Sequence, residues 1–241
     1  MRLCRRARAP VASTADRLRL RRRCTSQYAV GRKEHSSLLP KITIKTETPT
    51  ELKFPLSDEE KLEIAKLSRC SPVGTATADV VDLSVRKSKE LLPDQMSIDN
   101  LGEWQAYVME PILREISDKL QLGSECWEIG AMLYKLLVYE KGSFFARHRD
   151  NERIQNMFGT LVITLPSVFE GGVLHVHSPS NCAETCSFSS NNKELPPCRG
   201  RGNRGEVNWS AFYADCYHEA GAGSTLCPSE SRSALPSIHA P

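Results

Sequence analysis

The chain has 241 residues, of which 40% are hydrophobic and 25% charged, and its net charge is +3 at pH 7. That length suits one domain with loose ends. No window approaches the ~18 uninterrupted apolar residues of a membrane span, which excludes a transmembrane protein and predicts a soluble one.

The positive charge is concentrated at the start of the chain. Residues 1–33 hold ten Arg and one Lys against one acid, a net charge of +10, so the remaining residues carry −7. A stretch rich in Arg, Ser and Ala and poor in acids is typical of a mitochondrial transit peptide. A disordered basic tail, or upstream sequence wrongly joined to the gene, explains it equally well. We therefore assign residues 1–40 to a basic, disordered leader whose nature the sequence leaves open.

The cysteines indicate the compartment. The chain has nine, an odd number, at scattered spacings and without a secretory signal. Such usage favours reduced thiols over a disulfide framework. We expect an intracellular protein of the cytoplasm or nucleus, with the mitochondrion as the alternative that the Arg-rich leader keeps open.

The first predicted elements are a strand and a capped helix. Residues 41–48 alternate apolar and polar side chains, as a half-buried strand does. Ser57 with Glu60 three residues on forms a capping box, which predicts a helix beginning at Ser57. Ser71 and the proline after it should end this helix.

A second strand and a longer helix follow. Residues 78–85 are apolar enough for a strand. Residues 100–123 repeat large apolar side chains every three to four positions, which predicts an amphipathic helix. Pro111 lies in its middle and should kink it, because proline cannot donate the helical hydrogen bond.

After residue 127 the hydrophobic period changes from helical to two. Strands are predicted over residues 132–140, 158–166, 172–178, 184–190 and 206–215. Helices followed by a run of short antiparallel strands indicate an α+β protein with a sandwich or barrel-like β core and helices packed on one sheet. Residues 220–241, rich in Gly, Ser, Ala and Pro, are predicted to be a disordered tail.

His148 and Asp150 are candidate metal ligands. Two residues apart on an extended segment, their side chains project to one face. His218, 68 residues beyond Asp150 and just after an apolar strand, is the best third ligand. Two imidazoles and one carboxylate form the facial triad of non-haem Fe(II) oxygenases, although a His-x-Asp pair alone is a weak signal.

Two other functions are compatible with parts of the sequence. Cys182, Cys186 and Cys198, with His175 and His177 nearby, could bind zinc, but their spacing matches no regular zinc motif and free thiols in an inserted loop explain them as well. The basic leader lacks interleaved aromatic residues, so we expect no specific nucleic-acid recognition.

Several phrases together resemble a known family. The segment YEKGSFFARHRD, with Tyr139, Phe145, His148 and Asp150 in register, resembles the metal-binding segment of prolyl-4-hydroxylase-like, 2-oxoglutarate-dependent Fe(II) dioxygenases. MFGTLVITLPSVFEGGVLHV and WSAFYADCYHE resemble the strands that follow in that family, and the likeness is greatest to a fungal-type branch. It covers roughly residues 50–219, and several ordered phrases are more specific than any single one.

The resemblance implies a fold and a domain organisation. The fold is a double-stranded β-helix, a jelly-roll of the cupin-like kind. It would occupy residues 41–219, with helical support over 56–123 and the β core over 127–219.

The resemblance also implies an activity. With Fe(II), 2-oxoglutarate and O2, and with ascorbate as a further reductant, the enzyme would hydroxylate a protein side chain or a small molecule while 2-oxoglutarate is decarboxylated to succinate. His148, Asp150 and His218 would bind the metal. Tyr139 would form a bond with the cosubstrate, and Phe145 would line its pocket.

The resemblance stops after Glu219, and this departure limits the prediction. In the family, an Arg or Lys on the last strand, about ten residues beyond the distal His, holds the far carboxylate of 2-oxoglutarate. Pro228 stands at that position, and the nearest cation is Arg232, in a segment without strand pattern. We therefore expect the last strand to be missing and a sheet edge to be unpaired. A catalytically inactive fold relic or an interaction protein is the alternative function.

Overall fold

The computed structural model describes residues 1–7, 27–36, 38–74, 78–122, 127–150, 156–181, 183–189, 205–221 and 235–239. These residues are rich in strands, and all the paired strands run antiparallel. None of the described helices is long and apolar enough to cross a membrane.

The strands fall into an N-terminal and a C-terminal set. Those before residue 100 are β1 (Arg2–Ala7), β2 (Ala29–Ser36), β3 (Ile42–Ile44), β4 (Thr50–Glu51), β5 (Arg69–Cys70), β6 (Val73–Gly74), β7 (Asp79–Val80), β8 (Arg86–Lys87), β9 (Lys89–Leu91) and β10 (Met96–Ile98). Those after it are β11 (Trp127–Met132), β12 (Lys135–Tyr139), β13 (Phe144–His148), β14 (Met157–Thr164), β15 (Leu174–His177), β16 (Thr185–Phe188), β17 (Gly205–Tyr213), β18 (His218–Ala220) and β19 (Leu235–His239).

The helices are fewer; the first two interrupt the N-terminal set of strands, and the other three lie between the two sets. They are α1 (Asp58–Leu67), a 3-10 turn (Pro93–Gln95), α2 (Leu101–Trp104), a π-helical segment (Gln105–Met109) and α3 (Glu110–Lys119). The α2, π and α3 segments follow one another without a gap and form one long helix.

Two sheets dominate the described part of the chain. The larger has nine strands, in the order β11-β1-β14-β19-β12-β9-β5, with β17 joining β14 to β2. The second has five strands, in the order β16-β15-β18-β13-β8. Two small sheets, β10-β3-β4 and β6-β7, complete the structure.

The main core joins the long helix to the large sheet. Of the six apolar positions in the helical repeat, five are buried, namely Trp104, Val108, Ile112, Ile116 and Leu120, whereas Leu101 at the start of the helix is exposed. They belong to one cluster with fully buried side chains of the large sheet, including Leu136, Leu161 and Ile163. The Tyr213 hydroxyl donates a hydrogen bond to the Leu120 carbonyl oxygen over 2.9 Å, which ties β17 to the end of the helix.

Both predicted helices form, but α1 ends at Leu67, before the end predicted at Ser71, and Arg69–Cys70 form a strand. At α1 the capping box is present, because the Glu60 amide donates to Ser57 Oγ over 3.2 Å and the Ser57 amide donates to Glu60 Oε2 over 2.8 Å. In the long helix, the π-helical segment Gln105–Met109 lies shortly before Pro111, and the kink there stays a prediction. The Glu110 amide donates to the carbonyl of Gln105, five residues back, immediately before the proline that cannot donate.

The strand predicted over residues 78–85 is wrong in extent. Asp79–Val80 and Arg86–Lys87 are separate short strands with a turn between them. In the turn, Asp82 Oδ1 accepts hydrogen bonds from the amide and the hydroxyl of Ser84 over 2.9 and 2.6 Å. An aspartate that binds the backbone two residues on favours a turn over a continuous strand.

The predicted disorder of both ends is wrong for three segments. In the leader, β1 pairs with β11 and β14, and β2 pairs with β17. In the tail, β19 pairs with β12 and β14, so a strand is present where an unpaired edge was expected. Composition suggested disorder because both ends have few apolar side chains among many cations or small residues. Pairing with distant strands nevertheless satisfies the backbone hydrogen-bonding groups of these segments. Residues 8–26 and 222–234 lie outside the described part.

Candidate metal centre

The pairing of two short strands in the five-stranded sheet brings the candidate ligands together. His148 is the last residue of β13 and His218 the first residue of β18. The strands are antiparallel and place His148 directly opposite His218. Asp150 follows His148 by two residues. His218 is 68 positions beyond Asp150 in the chain, yet the strand pairing makes it a neighbour of the segment that holds His148 and Asp150.

The three side chains converge on one point. Their ligand atoms all lie within 4.8 Å of one another. His218 Nε2 lies 3.9 Å from Asp150 Oδ2, and the centroids of the two imidazole rings are 4.1 Å apart. Among the residues that the structure describes, this is the group of His, Cys, Asp and Glu side chains close enough to hold a metal ion.

Backbone contacts orient both imidazoles. His148 Nδ1 lies 2.9 Å from the Ala146 carbonyl oxygen, and His218 Nδ1 lies 3.2 Å from that of Cys216. A carbonyl oxygen only accepts, so in each ring Nδ1 carries the proton and donates it. Nε2 then keeps its lone pair, which is the arrangement of a metal-ligating histidine held by an outer hydrogen bond.

Aromatic side chains hold the rings in place. Phe145 stacks on His148, with ring centroids 3.4 Å apart and planes inclined by 20°. Phe212 packs against His218, with centroids 4.6 Å apart. This packing restricts the rotamers of both histidines and reduces the reorganisation that ion binding would require.

Burial and local charge keep the donors in the protonation state that a metal needs. Burial, followed by the charge of the neighbouring His218, lowers the pKa of His148 to about 3. Burial also lowers the pKa of His218, against the opposing effect of Asp150. Both rings are therefore neutral near pH 7, and their lone pairs are available.

Asp150 is ionised for a different reason. Burial raises the pKa of its carboxyl group, but His218, Arg2 and the hydrogen bond from Thr160 together outweigh burial and lower that pKa to about 2. Thr160 Oγ1 donates to Asp150 Oδ2 over 2.5 Å. Two neutral imidazoles and one carboxylate suit a borderline divalent ion such as Fe(II), so the donor set fits that metal.

A cavity of about 160 Å³ adjoins the three ligands. Tyr139 and Phe145, the residues that the resemblance assigned to the cosubstrate, both line it. Burial raises the pKa of Tyr139, against the effects of Arg86 and Ser88, so its hydroxyl stays protonated near neutral pH. Arg232, the third residue assigned to the cosubstrate, lies outside the described part of the chain.

The structure adds residues to the site that sequence reasoning missed. Arg2 and Arg86 are both buried and line the same cavity, and Thr160 contacts Asp150. Arg86 lies within residues 50–219, which the resemblance covers, but no role was assigned to it. Arg2 had no signal, because its surroundings have the composition of a leader.

The alternative zinc ligands are only partly described. His177 contacts Glu219 and Thr185, and His175 contacts Ser187, so both imidazoles already have protein partners. Cys186 lies on β16, whereas Cys182 and Cys198 fall outside the described residues. The zinc site stays a prediction.

Buried Cys216, two residues before His218, is a poor nucleophile. Burial, followed by the charge of Asp215, raises the pKa of its thiol to about 12. The thiol therefore stays protonated near neutral pH. The chemistry of this region rests with the imidazoles and the carboxylate.

Comparisons with known proteins give only distant similarities. No protein-family model and no curated protein sequence matches the chain. A solved prolyl-4-hydroxylase from Pseudomonas putida is 16% identical with a TM-score of 0.42, over 76% of this chain and 82% of that one.

Two further solved structures are similar to the same degree. A prolyl hydroxylase from Trichoplax adhaerens, in complex with a hypoxia inducible factor peptide fragment, is 14% identical with a TM-score of 0.42, over 78% of this chain and 81% of that one. A 2OG-Fe(II) oxygenase family oxidoreductase from Burkholderia pseudomallei is 14% identical with a TM-score of 0.39, over 78% of this chain and 82% of that one. Similarities of this size leave the family open, so the function has to be argued from the site.

Proposed function

We propose that this protein is an Fe(II)- and 2-oxoglutarate-dependent dioxygenase that hydroxylates a protein side chain or a small molecule. The observation that carries the proposal is the convergence of His148, Asp150 and His218 within 4.8 Å. Both histidines direct the proton of Nδ1 to a backbone carbonyl and leave Nε2 for an ion. Two imidazoles and a carboxylate on one side of an ion leave positions open for other ligands.

The fold belongs to the same proposal. We propose that the nine-stranded and five-stranded sheets are the two sheets of a double-stranded β-helix, with the triad at the end of the smaller one. The phrases that resemble prolyl-4-hydroxylase-like enzymes lie on β12 to β15, β17 and β18, which surround the cavity. The likeness in sequence and the position of the site therefore support one another.

Each residue of the site has a part in this proposal. His148, Asp150 and His218 hold the ion, and Phe145 keeps the ring of His148 in its orientation. Tyr139, protonated in the cavity wall, can donate a hydrogen bond to a cosubstrate oxygen. When bound, Fe(II) and 2-oxoglutarate supply the oxidising power for inserting one oxygen atom of O2 into a C–H bond, with succinate and carbon dioxide as the other products. We propose an intracellular location, in the cytoplasm, nucleus or mitochondrion.

The proposal is tested by metal binding and by succinate formation. The chain should bind Mn(II), a spectroscopic substitute for Fe(II), and release succinate from 2-oxoglutarate when Fe(II), O2 and ascorbate are supplied. Replacing His148, Asp150 or His218 by Ala should weaken Mn(II) binding more than ~100-fold, since losing only an outer partner of a ligand costs ~10–100-fold. His175→Ala is the matched control, because this histidine lies on the neighbouring strand β15 but outside the triad.

The outcome separates the proposal from its alternative. Equal Mn(II) affinity of the triad variants and the His175→Ala control would overturn the metal centre. Mn(II) binding without 2-oxoglutarate binding or succinate formation would instead favour a catalytically inactive relic of the fold or an interaction protein.

A further inference from the structure

Four of the described cations line the cavity beside the triad, namely Arg2, Arg86, Lys135 and Arg149. They differ in what already occupies their hydrogen-bond donors. A cation whose donors are satisfied by the protein has a structural role. A buried cation with donors left over is available to a ligand.

Two of the four cations, Lys135 and Arg86, donate hydrogen bonds to the protein, and the donors of a third, Arg149, are exposed to solvent. Lys135 Nζ donates to the buried carboxylate of Glu90 over 2.7 Å. Arg86 donates through Nε to Ser88 Oγ over 2.8 Å and through Nη1 to the Pro72 carbonyl over 3.1 Å. The exposed Arg149 lies with its guanidinium 4.0 Å above the ring of Tyr217.

Arg2 differs from the other three. It is only 5% exposed, and its Nε and Nη1 atoms make no hydrogen bond to any residue that the structure describes. Its Nη1 lies 3.1 Å from Asp150 Oδ2, an ion pair without the geometry of a hydrogen bond. The guanidinium also lies 4.5 Å above the ring of Tyr134, which fixes its plane. Two donors of a planar, buried cation are therefore unsatisfied at the edge of the cavity.

The register of β1 places Arg2 at this point. Arg2 lies opposite Thr160 of β14, and Thr160 in turn donates to Asp150. The next residue, Leu3, is fully buried in the main core. Because side chains alternate along a strand, Leu3 in the core directs Arg2 to the opposite face, toward the triad.

We infer that Arg2 is the anion-binding residue of this cavity and that it holds a carboxylate group of the cosubstrate. The inference rests on the proposed function, and it names Arg2 where the sequence pointed to Arg232. A guanidinium presents paired N–H groups that match a carboxylate, which the ammonium group of a lysine does not. The charges of Arg2, Asp150, a divalent ion and a dicarboxylate also sum to zero, which reduces the cost of burying them together.

This inference is tested by measuring two affinities on the same protein. Mn(II) binding is followed by electron paramagnetic resonance, and 2-oxoglutarate binding to the Mn(II)-loaded, anaerobic chain by calorimetry. Arg2→Gln should bind Mn(II) as tightly as the unsubstituted chain or more tightly, because Asp150 loses a competing cation. Its affinity for 2-oxoglutarate should fall ~10-fold or more, the loss expected for a charge-assisted contact.

Two further variants and a control make the test specific. Arg2→Lys keeps the charge beside Asp150 but not the paired donors, and it should also bind 2-oxoglutarate more weakly than the unsubstituted chain. Arg232→Gln should leave the affinity unchanged. Arg147→Gln is the matched control, since Arg147 is an exposed arginine of β13 that does not line the cavity.

The possible failures are distinguishable. If the unsubstituted chain binds 2-oxoglutarate and both Arg2 variants bind it equally well, the role of Arg2 is overturned and the proposed function survives. A loss confined to Arg232→Gln overturns it in the same way. If the unsubstituted chain binds Mn(II) but no 2-oxoglutarate, the cosubstrate assignment fails and the role of Arg2 fails with it.

Discussion

The strands β12 and β13 follow one another in the chain but have different parts in the molecule. Four of the five residues of β12 are buried, and the strand lies inside the large sheet between β19 and β9. None of the five residues of β13 is fully buried, and the strand ends at His148 beside the cavity. Gly142, in the turn between them, has a φ of 75°, which a residue without a Cβ adopts at little cost.

The difference shows that β12 contributes mainly to stability and β13 mainly to the candidate site. Each leucine that β12 buries contributes about 1.5–3 kcal/mol through the removal of apolar surface from water. The side chains of β13 border the cavity or solvent and contribute less apolar burial, but they leave room for an ion and a ligand. The buried strand therefore anchors the segment that leads to His148, and the less buried strand leaves space beside it.

The largest expected effect on stability comes from creating a cavity beside the buried strand β12. Leu136→Ala removes a side chain of β12 that is fully buried. It should lower the free energy of unfolding by about 2–5 kcal/mol, the usual cost of such a cavity. Urea denaturation measures this loss. The control is Arg147→Ala on β13, an exposed position where we expect a change within about 0.5 kcal/mol. Similar losses at both positions would remove the distinction between the strands.

The next largest effect on stability comes from binding a metal ion at the triad beside β13. Mn(II) at ~100 times its dissociation constant should raise the free energy of unfolding by about 2.7 kcal/mol, because the unfolded chain does not hold the three ligands together. The increase should be the same in Leu136→Ala and absent in Asp150→Ala. Thermal unfolding with and without the ion measures it. Equal stabilisation of Asp150→Ala would place the ion elsewhere.

The smallest effect comes from a position outside both strands. Ser57→Ala removes the cap of α1 and should cost about 1 kcal/mol of stability, since one helix amide loses its partner. Glu63→Ala, on the same helix, loses only an exposed ion pair with Lys66 and should change stability by no more than about 0.5 kcal/mol. Neither substitution should alter Mn(II) affinity. A changed affinity would mean that the site depends on the helical side of the molecule.

Predictions that depend on local interactions were confirmed by the structure. The capping box at Ser57 forms as the sequence indicated, because its two hydrogen bonds join residues three apart. The buried face of the long helix has the predicted residues except Leu101, which is exposed, because helical periodicity decides which side chains share a side. His148 and Asp150 are near one another because side chains two residues apart on an extended segment project to one face.

Predictions about the ends of the chain failed because they required knowledge of distant partners. Arg2 and Leu3 lie in a stretch whose composition indicates a leader, yet β1 pairs with strands more than a hundred residues away. The tail strand β19 likewise depends on β12 and β14. Composition describes a segment by itself and does not register such pairing.

The sequence by itself determined the spacing of His148 and Asp150, the capping box of α1 and the amphipathic pattern of the long helix, since each depends on neighbours within a few residues. Only the tertiary structure decided that Arg2 lies 3.1 Å from Asp150 and that a cavity of about 160 Å³ adjoins the triad. A strand's partners and register are set by which distant segments bury each other's apolar faces and satisfy each other's backbone groups.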